Sequence, residues 1–266
     1  MTKNSNRYII IRRILQISII LLFIAGNIFS VKILSGNLST AHVFNSFYLV
    51  DPHATLQILF SGFIIGTEAL IGALIIFLFY SIIAGRSFCS WVCPINIISD
   101  FALLLRKKFK IDSNYITFNR KTRYLMLILG LILSIITSVA AFELINPITI
   151  IYRSIIFGFS FGWTVIFLIL FFDLFVMRNG WCGHLCPLGG FYSLISKIHI
   201  IKVYHKVDNC TSCGICFDVC PEVQVLKIIG VNSGFVSSGE CTNCGRCVEK
   251  CKDDALKFSI NKFSYK

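Results

Sequence analysis

Cys210, Cys213, Cys216 and Cys220, the last followed by Pro221, are spaced C-x2-C-x2-C-x3-C, and the same spacing recurs at Cys241, Cys244, Cys247 and Cys251. Three thiolates two residues apart can curl around one cube of iron and sulfide, while a fourth, displaced by three residues, points to a neighbouring cube. The spacing therefore predicts two 4Fe-4S clusters with crossed ligand sets. Cys210, Cys213, Cys216 and Cys251 would be the iron ligands of the first, and Cys241, Cys244, Cys247 and Cys220 those of the second. Structural zinc and disulfide knots are the competing uses of a cysteine-rich tail, and neither calls for this doubled spacing. Lys252 stands where the second run would carry its proline, which leaves the ligand count intact.

The remaining four of the twelve cysteines form two C-x3-C-P elements beside tryptophans: Cys89 and Cys93 in the stretch Gly85 to Pro94, and Cys182 and Cys186 in Asn179 to Pro187. Residues four apart share one side of a helix, so the two pairs could converge. Three uses of Cys89, Cys93, Cys182 and Cys186 stay open: a further metal or cluster site, a redox-active thiol pair, or a helix-packing motif. His184, inside the second pair, could ligate metal, pass protons or simply face lipid headgroups.

The elements that carry these cysteines read as membrane helices. Mean hydropathy is +0.77, with 56% hydrophobic and only 14% charged residues, a composition outside the soluble range. Apolar runs at Ile14 to Val31, Ile58 to Ala84, Tyr124 to Phe142 and Ile155 to Met177 are each long enough to span a bilayer. The segments joining them alternate in charge. Lys32 to Gln57 and the stretch after Asn146-Pro147 are poor in basic residues, whereas Arg86, Arg106, Lys107, Lys108, Lys110, Arg120, Lys121 and Arg123 lie between the second and third runs. The positive-inside rule puts that basic segment, both termini and the cysteine tail in the cytoplasm. The net charge of +12 follows this membrane-flanking pattern, which argues against a nucleic-acid partner.

The expected fold is an all-α membrane protein of four transmembrane helices, arranged as two hairpin repeats, with a small C-terminal α+β ferredoxin-like domain binding two 4Fe-4S clusters. The transmembrane domain would cover residues 1–205 and the cytoplasmic two-cluster domain 206–266. Asp51-Pro52 and Asn146-Pro147 hold matching places in the two hairpins, as do the C-x3-C-P elements, so a pseudo-twofold axis along the membrane normal would relate the copies. Glu68 falls inside the second apolar run, where an ionisable group is costly and by default faces the bundle interior; it is the candidate for handling protons. Glu143 and Asp173 lie nearer helix ends, where solvated or capping roles are expected. His42, His53, His199 and His205 form no pattern. No Walker loop, dinucleotide fingerprint, hydrolytic triad or haem-attachment motif accompanies these features.

Taken with its motifs, the chain resembles the NapH family of membrane-bound ferredoxin-type proteins. The resemblance rests on Arg12-Arg13 before the first apolar run, Asp51-Pro52 with Thr55-Leu56-Gln57, Phe88 to Pro94 (FCSWVCP), Glu143 to Pro147 (ELINP), Trp181 to Pro187 (WCGHLCP) and the two tail runs. It implies a subunit of a quinol dehydrogenase in a bacterial inner membrane that takes electrons from menaquinol or ubiquinol, with Glu68 the candidate for the quinol protons. A NapG-type periplasmic iron–sulfur protein would pass the electrons to a cytochrome c and a periplasmic nitrate reductase. The residues alone stop at a membrane-anchored electron-transfer protein. A maturation-type membrane ferredoxin that reduces or handles copper, and a non-catalytic anchor that recruits an electron-transfer partner, use the same residues. The charge pattern also sets a problem, because the clusters lie inside while nitrate is reduced outside, with about 30 Å of hydrocarbon between.

Overall fold

The computed structural model describes residues 6–29, 33–44, 46–111, 114–158 and 162–260. In chain order they form α1 (Arg7–Ile28), β1 (Leu34–Gly36), β2 (Thr40–Val43), β3 (Phe47–Val50), α2 (Pro52–Phe60), α3 (Thr67–Leu78), α4 (Phe88–Trp91), α5 (Ile95–Lys108), α6 (Thr122–Thr137) and α7 (Ala141–Ile145). There follow α8 (Pro147–Phe157), α9 (Gly162–Phe171), α10 (Pro187–Ile195), β4 (Ile201–His205), α11 (Ile215–Val219), β5 (Gly234–Phe235), α12 (Arg246–Lys250) and β6 (Leu256–Ile260). The chain is mostly helical and divides into two compact units. One gathers residues 1–15, 78–92 and 192–266; the other gathers 16–77 and 93–191.

The apolar runs become helices, but not the four uninterrupted ones expected. Among the described residues, two helices are long and apolar enough to cross a membrane: α1, and the run Thr67–Trp91 that continues α3. Two shorter apolar helices lie at Thr122–Thr137 and Gly162–Val176. The second expected run is broken after Phe60 because Ser61 and Gly62 end α2, with Gly62 at a φ of 86° that favours glycine. The fourth expected run is likewise broken where α8 stops at Gly158, whose φ is 83°. Val31 and residues 159–161, parts of the first and fourth expected runs, lie outside the described residues.

Asp51-Pro52 and Asn146-Pro147 each open a short helix in the segments poor in basic residues. Asp51 and Asn146 are extended, each followed by proline in the first turn, a position where the missing N–H has no intrahelical bond to lose. The Asn146 side chain also accepts from Ile148 N at 3.1 Å, an N-cap bond. At 9 and 11 residues, α2 and α8 reach only about 14–17 Å and cannot cross a bilayer alone. The first of these segments also holds a sheet of order β1-β2-β3, antiparallel throughout. Asn27 of α1 fastens it, exchanging hydrogen bonds with the Gly36 backbone at 2.8 and 3.0 Å.

Widened π turns at Phe79–Ala84 and Phe172–Val176 end the two hairpins, each leading towards a C-x3-C-P element. Such turns recur at functional sites because they re-aim the side chains that follow. The order short helix, break, apolar helix, π turn and C-x3-C-P therefore occurs twice, at 52–94 and 147–187.

The first unit is built on the sheet β5-β4-β6. Ile201 to His205 pairs antiparallel with Leu256 to Ile260. Val203, Val225, Leu226, Val236 and Leu256 form its buried core together with Cys220 and Cys247.

Candidate iron–sulfur sites

The two cysteine runs share one backbone path. Cys210-Thr211-Ser212-Cys213-Gly214 and Cys241-Thr242-Asn243-Cys244-Gly245 match at each cysteine, threonine and glycine. Ser212, Gly214, Asn243 and Gly245 all have positive φ, at 56°, 77°, 48° and 75°. Left-handed residues interleaved in this way turn successive N–H groups to one side, making a concavity for an anion such as an iron–sulfur cube. One-turn helices, α11 and α12, then carry the third cysteine of each run.

Two cavities sort the eight tail cysteines. Cys210, Cys213, Cys216 and Cys251 line one, and Cys220, Cys241, Cys244 and Cys247 line the other. Each cavity thus has three cysteines from one run and the fourth from the other run. Four soft thiol donors around a concavity of inward N–H groups suit a cluster. Among the described residues, no three His, Cys, Asp or Glu side chains are close enough to hold one metal ion.

Without metal, four of these thiols are held protonated. Burial pushes Cys241 up to about 12, and raises Cys216, Cys220 and Cys247 as well. Neighbouring thiols add to the rise at all four. Iron must displace those protons, so loading releases acid and binding weakens as pH falls.

Donors crowd the second run from outside. Ser90 Oγ donates to the Thr242 carbonyl at 2.6 Å, Trp91 Nε1 to that of Asn243 at 3.0 Å, and Arg12 Nη1 to that of Cys244 at 3.5 Å. Asn243 Nδ2 donates in turn to the carbonyls of Ala84 and Ile201, at 3.3 and 2.8 Å. Arg86 Nη1 bonds the Glu240 carbonyl at 3.1 Å and the Glu222 carboxylate at 2.7 Å. Gly85, with φ 60°, must be glycine here, since a Cβ would sit 2.7 Å from the His199 ring. The first run is barer: Cys213 is exposed, and an exposed bond from Thr211 Oγ1 to Asp253 at 2.5 Å closes its loop.

The C-x3-C-P cysteines divide between the units. Cys89 belongs to the first, while Cys93, Cys182 and Cys186 belong to the second. In the second unit Ser99 Oγ donates to Asp173 Oδ2 at 2.5 Å and lies 3.3 Å from Cys182 Sγ. Either atom of this Ser99–Cys182 contact can be the donor. Gly189 N donates to Cys186 Sγ at 3.4 Å, and Gln16 Nε2 to the Cys93 carbonyl at 3.0 Å.

The acids and histidines differ from expectation. Glu68 is exposed in the first turn of α3 instead of facing a bundle interior; the break at Ser61–Gly66 puts it at a helix N-terminus, where the dipole favours a carboxylate. Asp173 caps Trp181 N at 3.0 Å, as a capping role requires, but it is only 1% exposed. Glu143 accepts from Ser39 Oγ, from Thr149 Oγ1 at 2.5 Å and from Asn146 Nδ2 at 3.1 Å. His184 is buried, its Nδ1 3.4 Å from the Asn179 carbonyl, and does not face headgroups.

Comparison with known proteins points to 4Fe-4S binding. Residues 65–112 and 157–203 each match the family described as a 4Fe-4S binding domain, and residues 202–252 match the 4Fe-4S dicluster domain. The ferredoxin-type protein NapH of Escherichia coli is 40% identical over 224 residues, 84% of this chain and 78% of the relative. The chain belongs to the NapH family of ferredoxin-type proteins. Methylamine utilization ferredoxin-type proteins MauN are similar as well. The one from Methylorubrum extorquens is 38% identical over 86% of the chain and 81% of its own length, and that of Paracoccus denitrificans 37% over 89% and 84%. No solved structure matches the chain.

The two segments matched to the 4Fe-4S binding domain each overlap one copy of the repeat and include its apolar helix, π turn and C-x3-C-P element. Other residues have roles that sequence patterning alone does not signal. His205 is fully buried in the wall of the first cysteine cavity. Its Nδ1 lies 2.8 Å from the Asn232 carbonyl oxygen, which makes that nitrogen the donor. Glu222 and Arg86 look in sequence like ordinary surface charges. The only clue to Glu222 is its place directly after Cys220-Pro221.

Proposed function

We propose that the chain is a multi-pass membrane electron-transfer subunit that oxidises quinol and relays electrons through two 4Fe-4S clusters toward a periplasmic acceptor. The observation that carries this reading is the crossed lining of the two cavities, since a pair of sites sharing ligands across both runs suits a relay. Cys210, Cys213, Cys216 and Cys251 would hold one cluster, and Cys220, Cys241, Cys244 and Cys247 the other. A quinol becomes quinone by losing two electrons and two protons, and the clusters, when bound, would supply one-electron acceptance at two adjacent places. The chain holds the sites apart in character. The first is open to solvent at Cys213, while the second lies beneath the donors of Arg12, Arg86, Ser90 and Trp91, and hydrogen bonding with burial is what separates potentials.

Membership of the NapH family supports a NapG-type periplasmic iron–sulfur protein, a cytochrome c and nitrate reductase as the downstream chain. The similar match to MauN proteins favours a second reading, in which the relay is the same and its electrons serve methylamine utilization. Four membrane crossings with both termini inside would use the two long helices together with the two shorter apolar helices. The test is to add a menaquinol analogue anaerobically to the full-length, cluster-loaded protein and follow the visible absorbance. Bleaching supports quinol oxidation. A cluster-loaded protein that dithionite bleaches and quinol does not would sink it.

A further inference from the structure

A cavity of about 450 Å³ opens between the first turns of α1 and the end of the second cysteine run. Its size falls in the range of small-molecule sites. Tyr8 and Ile11 of α1 face Val248 and Leu256 across it, giving apolar walls. Cys251 lines it too, and the same cysteine lines the first cluster cavity, so the two spaces share a wall.

Its polar feature is Glu249. This side chain is 7% exposed; Oε1 accepts from Tyr8 N at 3.1 Å, and Oε2 is buried without any hydrogen-bond partner. An orphaned carboxylate oxygen costs its full desolvation unless a donor reaches it. Arg7, Asp254 and Lys257 also line the cavity, but they are exposed where Glu249 is buried. The missing donor must therefore come from a guest. From the cavity, the face of α1 that carries Ile11 continues through Ile14 and Leu15, which are 49%, 59% and 41% exposed. Positions three and four apart lie on one face, so an apolar track leads out of the cavity toward the rest of α1.

We propose that this cavity is the quinol headgroup site, with Glu249 Oε2 accepting a hydrogen bond from a quinol hydroxyl and the isoprenoid tail lying along Ile11, Ile14 and Leu15. The proposal rests on the quinol reading above and adds to it a place and an entry point, the side of Cys251. A phospholipid would match the apolar track and could set its phosphate on Arg7 and Lys257, but a phosphodiester has no hydroxyl to donate to Glu249, whereas a quinol has.

The test uses full-length protein in nanodiscs and an azido-quinone photolabel. Adducts are expected in residues 7–15 or 248–257, and Ile11→Trp, which fills the cavity, should abolish them with iron content unchanged. Glu249→Gln keeps the acceptor for Tyr8 N but turns the other oxygen into an N–H donor. It should raise the KM for quinol about tenfold while tightening inhibition by quinone, whose carbonyl only accepts. A purely structural role for Glu249 would not move these two constants in opposite directions. Adducts elsewhere, or an unchanged KM in both variants, would overturn the site. Labelling in the cavity without quinol-dependent bleaching would leave the site standing and remove the oxidation reading. Bleaching with adducts elsewhere would do the reverse.

Discussion

Arg86 Nη1 lies 2.7 Å from Glu222 Oε1, and the two side chains are only 2% and 4% exposed. Arg86 precedes Cys89 in the first C-x3-C-P element, and Glu222 follows Cys220-Pro221 in the tail, so one ion pair joins two cysteine motifs inside the same unit. Gln224 Nε2 donates to Glu222 Oε2 at 2.9 Å and to Glu240 Oε2 at 2.6 Å, extending the bond into a small network beside Cys241. Removing one member of a buried pair strands the other charge, at a cost of about 3–5 kcal/mol, whereas replacing both with apolar residues is often neutral. Arg86→Met is therefore expected to lower the unfolding midpoint strongly and to lose iron from the second site, while Arg86→Met with Glu222→Leu recovers most of the stability. Melting curves and iron content of the three proteins check this. A double variant no more stable than the single one would count against the pair as the cause.

The crossed cavities make a sharper prediction about which cysteine serves which site. Cys251→Ser sits in the second run but should disrupt the first cluster, and Cys220→Ser, in the first run, should disrupt the second. Each is expected to remove about half of the iron, and the surviving EPR signals should differ between them. Cys251→Ser should leave the signal that Cys244→Ser destroys. If Cys251→Ser and Cys244→Ser instead removed the same signal, the ligands would be grouped run by run.

These relationships differ in how far the sequence reveals them. The thiolate runs are legible because a cluster ligand set is written in local spacing, and the matching Ser212/Asn243 and Gly214/Gly245 positions repeat it. The Arg86–Glu222 pair is not legible, for its members are 136 residues apart and nothing local marks a charge as buried. Hydropathy located the apolar segments but averaged over Gly62 and Gly158, whose positive φ ends a helix within one residue. The same averaging placed Glu68 in mid-membrane. Gln57 illustrates the rest: inside an apolar neighbourhood it reads as an oddity, yet its Oε1 takes the Phe142 N–H at 2.9 Å, a partner 85 residues away.

The other half of the Gln57 amide gives a pH prediction. With Oε1 committed to Phe142, Nε2 is the donor toward His53 Nδ1 at 3.3 Å, so the buried imidazole is neutral with its proton on Nε2. Burial lowers the His53 pKa to about 4 from its usual 6.5. The unfolded chain takes up this proton near pH 6.5, and the folded chain only near 4. Acidification through that window therefore favours unfolding, and the stability present above pH 6.5 declines by roughly 3 kcal/mol toward pH 4. His53→Asn keeps an acceptor for Gln57 and removes the titration. Its melting temperature in metal-free protein should fall less than that of the wild type between about pH 7.5 and about pH 4.5. Parallel declines would show that His53 is not the group responsible.

Asp173 and Cys182 provide the last test, one of thiol reactivity. Burial raises the Cys182 pKa well above the usual thiol value, and the Asp173 carboxylate raises it further, ahead of the contributions from Cys93 and Cys186. The Ser99 bond works in the opposite direction without offsetting them. Since the thiolate is the reactive form, Cys182 should be alkylated slowly in metal-free protein at mildly alkaline pH. Asp173→Asn removes the negative charge and keeps an oxygen that can accept from Ser99. It should therefore lower the Cys182 pKa and speed its alkylation, with little change at Cys213, which is exposed and lies in the other unit. Mass spectrometry of time-resolved labelling follows both cysteines in one sample. If Asp173→Asn accelerated both equally, general loosening of the fold would be the cause; if it accelerated neither, the carboxylate would not control the thiol. Selective acceleration would establish that the Asp173 charge adds to burial in keeping Cys182 protonated.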